Sequence, residues 1–302
     1  MVLDTPTGRL YGTLLLPEAA PPFPVALIVA GSGPTDRDGN STLLPGRNDA
    51  LKQLGEALKA RGIASLRYDK RGIAESAAAG VDEASLTFDL LVDDAVRWLE
   101  QLAADARFGA GLVLGHSEGS LIGMLAAART GAAAFVSLEG AGRPAAAVLR
   151  AQLAGQLPPA LLDEVDGVLA ELEGGRTVED LPSGIAAVPS IAQALFRASV
   201  QPYLVSWFAY DPCDTIAAID APSLVVQGTH DLQVPVPDGE ALAGAARMGS
   251  YALVEGMNHV LKLAPPERDA NLAAYSDPGL PLAPALLEAL DAFLVETGLV
   301  ER

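Results

Sequence analysis

Short apolar runs, each closed by turn residues and most followed by a helical pattern, restrict this chain more than any other feature. "RLYGTLLLP" alternates and ends in proline, while "PVALIVAG" (24–31), "GIASLRYD" (62–69), "AGLVLG" (110–115) and "AAAFVSLEG" are compact runs that read as strands. "APSLVVQG" (221–228) and "SYALVEG" (250–256) continue the series. Helical spacing lies between them: Leu51, Leu54 and Leu58, then Leu90, Leu91, Val92, Ala95, Trp98 and Leu99, then "SLIGMLAAART" ending before Gly131, and finally "PALLEALDAFLVETG". Strands buried on both faces and joined by helices predict an α/β fold, a mainly parallel central sheet with helices on both faces.

One region breaks the rhythm. From Pro144 to about Ser206 there is no strand pattern, only helical spacing such as Leu161, Val165, Val168, Leu169 and Leu172. Pro158, Pro159, Pro182, Pro189 and Pro202 cut it into short pieces. The expectation is a core of residues 1–143 and 207–302 carrying a helical insertion over 144–206.

Composition bounds the function. The 302 residues suffice for a large α/β domain, half are hydrophobic, and no uninterrupted apolar stretch approaches the roughly 18 to 20 residues that cross a bilayer. "MVLDTPTGRLYG" lacks the basic start and apolar run of a secretory signal. Cys213 is the single cysteine and there are three histidines, which leaves no disulfide and no Cys/His zinc cluster. A reduced cytoplasmic setting is expected. The formal charge of −18 argues against nucleic acid and anionic membrane surfaces as partners.

Chemistry concentrates around "VLGHSEGSLIG" (113–123), which fits the pattern G-x-S-x-G between a strand and a helix. That pattern makes a strained turn that lifts the serine hydroxyl clear of the backbone, with small residues where side chains would collide. Gly115 and Gly119 supply the small residues, and Gly123 and Ala127 extend the stripe at i+4. Ser117 is therefore a candidate nucleophile at a helix N-terminus. A serine needs a base. His116 sits inside the turn and His230 at a strand end, both read as structural, whereas His259 in "EGMNHVLK" follows the last strand. Ser117, Asp231 and His259 then follow the chain order nucleophile, acid, base. Asp238 is the alternative acid, deeper in the next segment.

Acyl transfer also needs donors for an oxyanion. The amide of Glu118 follows the nucleophile, and Ser32 in "AGSGPTDRDGN" supplies the second. The same loop lacks G-K-[ST] and the dinucleotide glycine spacing, and Asp36, Asp38 and Asn40 lack the further ligands of a calcium loop. No cofactor and no metal are expected; Arg37 braces the loop.

Together "AGSGPTDRDGN", "RYDKRGIAES", "GHSEGS", "QGTHDLQV" and "MNHVLK" resemble bacterial α/β-hydrolase esterases of the serine aminopeptidase S33-like group, with the EstD-type carboxylesterases as the nearer subgroup. The resemblance implies an α/β-hydrolase fold, Ser117, Asp231 and His259 as triad, Ser32 and Glu118 as oxyanion donors, the 144–206 insertion as a lid, and a small-molecule ester as substrate. Ala74 departs from the glycine that relatives carry in this turn.

Tyr203, Trp207, Phe208 and Tyr210 cluster in a chain otherwise poor in aromatics. They line an acyl pocket or anchor the insertion. The Glu118 carboxylate either binds a substrate ammonium, favouring aminopeptidase activity, or pairs with Arg37, Lys70 or Arg71 to fix the loops; the second is the preferred reading. Thioesterase and lactonase activities use the same residues, and a ligand-binding relative without turnover is the alternative of another class.

Overall fold

The computed structural model describes residues 1–154 and 156–301. β1 (Val2–Thr5) and β2 (Gly8–Leu15) form an antiparallel hairpin at one edge of an eight-stranded sheet. β3 (Phe23–Val29), α1 (Ala50–Ala60), β4 (Ala64–Tyr68), α2 (Phe88–Ala103), β5 (Phe108–His116), α3 (Glu118–Thr130) and β6 (Ala134–Leu138) follow. The strand order is β1-β2-β4-β3-β5-β6-β7-β8, with β7 (Ser223–Gly228) and β8 (Gly249–Val254) completing the far edge. Every pairing from β4 to β8 is parallel.

Side-chain alternation along β3 divides the core in two. Leu27 and Val29 point to one face, where they meet Phe88, Val92 and Trp98 of α2 and Ile122 of α3. Ala26 and Ile28 point to the other, against Leu51, Leu54 and Leu58 of α1. β4, β6 and β7 are buried at every position, which is why they read as continuous apolar runs. The hairpin strand β1 escapes sequence reading because Leu3 is its only buried residue.

Between β6 and β7 the chain runs through α4 (Ala145–Ala154), α5 (Pro159–Glu173), α6 (Ser183–Ala186), α7 (Pro189–Leu195), α8 (Gln201–Phe208) and α9 (Pro212–Ala217). Prolines occupy the first turns of α5, α7 and α8, where the missing N–H has no intrahelical partner to lose. α4 to α8 share an apolar cluster of their own that includes Val168, Leu169, Leu172, Ile185 and Phe196. Because α8 continues to Phe208, the expected boundary at 206 falls inside a helix, and Trp207 and Phe208 belong with the insertion.

The insertion is tied to the core at identifiable points. Arg197 and the Ser199 hydroxyl both bond Glu83, which sits in a 3₁₀ turn (Glu83–Ser85), and the Phe88 amide donates to Ser206 Oγ at 2.8 Å. Trp207 stacks on Phe88 with centroids 5.9 Å apart and planes 9° from parallel. After β7 come α10 (Val236–Ala245), β8, α11 (Arg268–Ala273) and α12 (Pro284–Glu296), whose Leu286, Leu290 and Phe293 cover the second face of the sheet. No helix among the described residues is long and apolar enough to cross a membrane.

Candidate active site

β5 hands over to α3 through a single residue, Ser117, at φ 55° and ψ −124°. A non-glycine residue rarely holds that conformation, and the neighbours enforce it. A Cβ on Gly115 would lie 2.2 Å from the Gly119 carbonyl oxygen, and one on Gly119 would lie 2.3 Å from the carbonyl oxygen of Val29. Both glycines of G-x-S-x-G are thus required by contact with backbone. Gly123, one turn on, faces Val113 at 3.1 Å by the same measure, so α3 presses closely on the sheet.

His259 and Asp231 meet as the sequence expects. Asp231, just past β7, accepts from His259 Nδ1 at 2.7 Å through one oxygen, and from the amides of Gln233 (2.7 Å) and Val234 (3.0 Å) through the other. Its side chain is fully buried. Burial works to raise its pKa, but the His259 charge and hydrogen bond, with the added donors, pull it down to about 2. With Nδ1 committed, Nε2 is the ring nitrogen left for a serine. Ser117 and His259 line one cavity of about 410 Å³. Among the described residues no hydrogen bond joins the Ser117 hydroxyl to the imidazole, a looseness common before substrate tightens the site.

The other histidines position backbone. His116 Nε2 donates to the His259 carbonyl oxygen at 2.7 Å, with ring centroids 4.9 Å apart. Burial, reinforced by the neighbouring His259 charge, pushes His116 down to about 4, so it stays neutral near pH 7. His230 Nδ1 donates to the Ala264 carbonyl at 2.6 Å. Asp238, the alternative acid, is spent elsewhere: it accepts from the Gly142 and Arg143 amides and pairs with the Arg143 guanidinium at 2.8 Å.

Sequence reasoning missed Glu139. It follows β6 with no exposed surface and φ 51°, and accepts from Gln227 Nε2. Burial, and then the Asp231 charge, raise its carboxyl well above the ordinary range. The available signal was an acid at the carboxyl end of a fully buried strand in "SLEG".

Around the oxyanion position, no hydrogen bond engages the Ser32 or Glu118 amides among the described residues. The loops carrying them are cross-braced. Lys70, past the end of β4, donates to the Gly31 carbonyl at 2.5 Å and to Glu118 Oε2 at 2.8 Å, while the Tyr203 hydroxyl donates to Glu118 Oε1 at 2.5 Å. Both carboxylate oxygens of Glu118 are occupied, and the Lys70 and Glu118 side chains are each 4% exposed. Of the three cations considered for Glu118, Lys70 takes the role. Arg37 pairs with Asp69 at 2.6 Å and with Glu75, bracing its loop, and Arg71 pairs with Asp94 at 2.6 Å. Ala74, the departure in this turn, sits at φ 44°, a backbone glycine adopts freely.

The aromatic cluster divides. Trp207 lines an apolar cavity of about 260 Å³ that also contains Ser32, Ser117 and Glu118. Tyr203 is the Glu118 donor. Phe208 is buried in the insertion's own cluster and Tyr210 bonds Asp89 while packing on Phe88, so these two line neither of the cavities at Ser117. Among the described residues no group of three or more His, Cys, Asp or Glu is placed to hold a metal ion. Asp36 caps the amides of Asp38 and Asn40, and Asp38 pairs with Arg67.

Residues 44–166 match the family described as serine aminopeptidase, S33. The esterase EstD of Thermotoga maritima is 28% identical over 264 residues, 85% of this chain, and the chain spans 59% of that protein's length. Among solved structures, Est1E from Butyrivibrio proteoclasticus with ferulic acid bound superposes with a TM-score of 0.66 at 19% identity, covering 98% of each chain. The enol-lactonase from Burkholderia xenovorans gives 0.57 at 19% identity, covering 98% of this chain and all of the other. The chain therefore has the α/β-hydrolase fold, and it is similar over part of its length to the serine aminopeptidase S33 family and, at 28% identity, to EstD.

Proposed function

We propose that this α/β-hydrolase is a serine carboxylesterase acting on small-molecule esters. The observation that carries the reading is convergence: a strained Ser117 and His259, which is held 2.7 Å from Asp231, border one cavity, and Ser117 also borders, with Ser32 and Glu118, a second cavity beside it. In this mechanism His259 removes the Ser117 proton during attack on the ester carbonyl, the Ser32 and Glu118 amides hold the developing oxyanion, and the imidazolium protonates the departing alcohol. Water activated by His259 then releases the acid. Asp231 holds the imidazole, and the Gln233 and Val234 amides hold Asp231.

EstD, named an esterase, supports the reaction class. The Glu118 carboxylate, enclosed by Lys70 and Tyr203, has no lone oxygen to offer a substrate ammonium, which disfavours aminopeptidase action. The 144–206 segment with Trp207 serves as the lid. The acidic balance and single cysteine support a cytoplasmic enzyme without nucleic-acid partners.

The test pairs labelling with turnover. A fluorophosphonate should modify the wild type and spare Ser117→Ala, and p-nitrophenyl esters should be cleaved faster than matching aminoacyl amides. Asp231→Asn should retain the fold with kcat lowered about 10⁴-fold. Persistent labelling of Ser117→Ala, or faster amide cleavage, overturns the assignment.

A further inference from the structure

Ser117 stands between two cavities of different chemistry, and a third lies behind one of them. The first, about 410 Å³, contains His259 and has a mixed wall, with Asn48, Gln152, Gln156 and Tyr275 among its polar residues and Leu43 and Leu232 among its apolar ones. The second, about 260 Å³, contains Ser32, Ser117 and Glu118 but not His259; Leu121, Val148, Leu149, Leu204 and Trp207 make it apolar. The third, about 430 Å³, shares Ser32, Glu118, Leu195, Leu204 and Trp207 with the second and continues to Ile73, Leu86 and Leu91.

Proton delivery orients a substrate in this space. The leaving oxygen must lie within reach of His259, whereas the acyl substituent must leave the carbonyl carbon in another direction. His259 borders only the larger, mixed cavity of the two at Ser117, so the alcohol belongs there and the acyl group in the apolar one. Trp207 and Leu204 form the wall where the acyl cavity meets the third. Trp207 is held against Phe88 by its near-parallel stack and lies 5.9 Å from the Tyr203 ring.

Resting on the esterase reading, we propose that the substrates are esters of compact apolar acids with bulkier alcohols, and that Trp207 sets the acyl length limit by standing between the acyl cavity and the third. At roughly 30 Å³ per non-hydrogen atom, the share of a liquid water molecule, the acyl cavity holds about eight such atoms. A medium-length aliphatic chain or a single aromatic ring fills it.

The experiment measures kcat/KM for p-nitrophenyl esters from acetate to dodecanoate, and for butyrate esters of alcohols graded in size and polarity. With wild type, kcat/KM should rise about fourfold per methylene and fall beyond about eight carbons. Trp207→Ala opens the wall and should raise the dodecanoate-to-octanoate ratio at least tenfold without reordering the alcohols. Leu204→Ala, a smaller change in the same wall, should move the ratio in the same direction and serves if Trp207→Ala fails to fold. An unchanged chain-length order in correctly folded variants, or a shift confined to the alcohol series, overturns the proposal while leaving esterase activity standing. A wild type that cleaves no ester overturns the activity itself.

Discussion

Lys70 shows how much a single side chain contributes here. Its ammonium is buried, and it joins the Gly31 carbonyl to the Glu118 carboxylate, so it fixes the two backbone segments that carry the proposed oxyanion donors. Lys70→Ala leaves Glu118 charged without its cation, a loss of about 3–5 kcal/mol in such settings. Lys70→Ala, Glu118→Gln removes that stranded charge and should recover much of the stability in a thermal melt. Its kcat should still fall about 10²-fold with KM little changed, because displacement of a catalytic group by about 1 Å has that effect. The sequence already showed an acid beside the nucleophile and named Lys70 among its partners. It gave no means of choosing, since Arg37, Lys70 and Arg71 lie within a few residues of one another or in facing loops, and only the fold separates their directions. Glu139 was harder still: local pattern carries no sign that an acid after β6 would stand beside one after β7.

The turn between β5 and α3 depends on elements approaching closely enough for side chains to be excluded. Gly119 faces the Val29 carbonyl, so Gly119→Ala must push α3 away from β3 or distort the turn. A destabilisation of about 1–3 kcal/mol or more is expected, and denaturant unfolding with Gly123→Ala alongside tests it. The latter meets side-chain atoms at 3.1 and 3.2 Å, which yield more easily, and should lose less. At this scale the sequence was informative because apolar runs and glycine spacing are local consequences of burial. It failed at β1, where one buried residue leaves no pattern, and at the end of α8, where no breaker stands between Ser206 and Trp207.

For the molecule as a whole, charge governs how the insertion stays attached. Hydrogen bonds from Arg197, then from Ser199, hold Glu83 at a pKa of about 2 against an ordinary value of 4.5. A depressed carboxylate stabilises the fold above its unfolded pKa, and that contribution is lost as pH falls through the folded value. Asp231, also near 2, follows the same sign. Between about pH 4.5 and 2 the insertion should therefore loosen before the sheet does. Limited pepsin digestion across that range should cut first within 144–209, and Glu83→Gln should become susceptible already at neutral-side pH when probed with thermolysin. Early cleavage in the core instead would show that the attachment lies elsewhere.

An apolar cluster confined to α4 through α8 means that the insertion solves its own burial problem. Selection, or a protein engineer, can exchange such a segment without reopening the sheet; on the proposed reading this would change which esters are admitted and leave the Ser117–His259–Asp231 site in place. Tyr203 limits that freedom, because its hydroxyl reaches out of the exchangeable segment to the acid beside the nucleophile. A graft that keeps a phenol at this position keeps the hydrolytic machinery it is grafted onto.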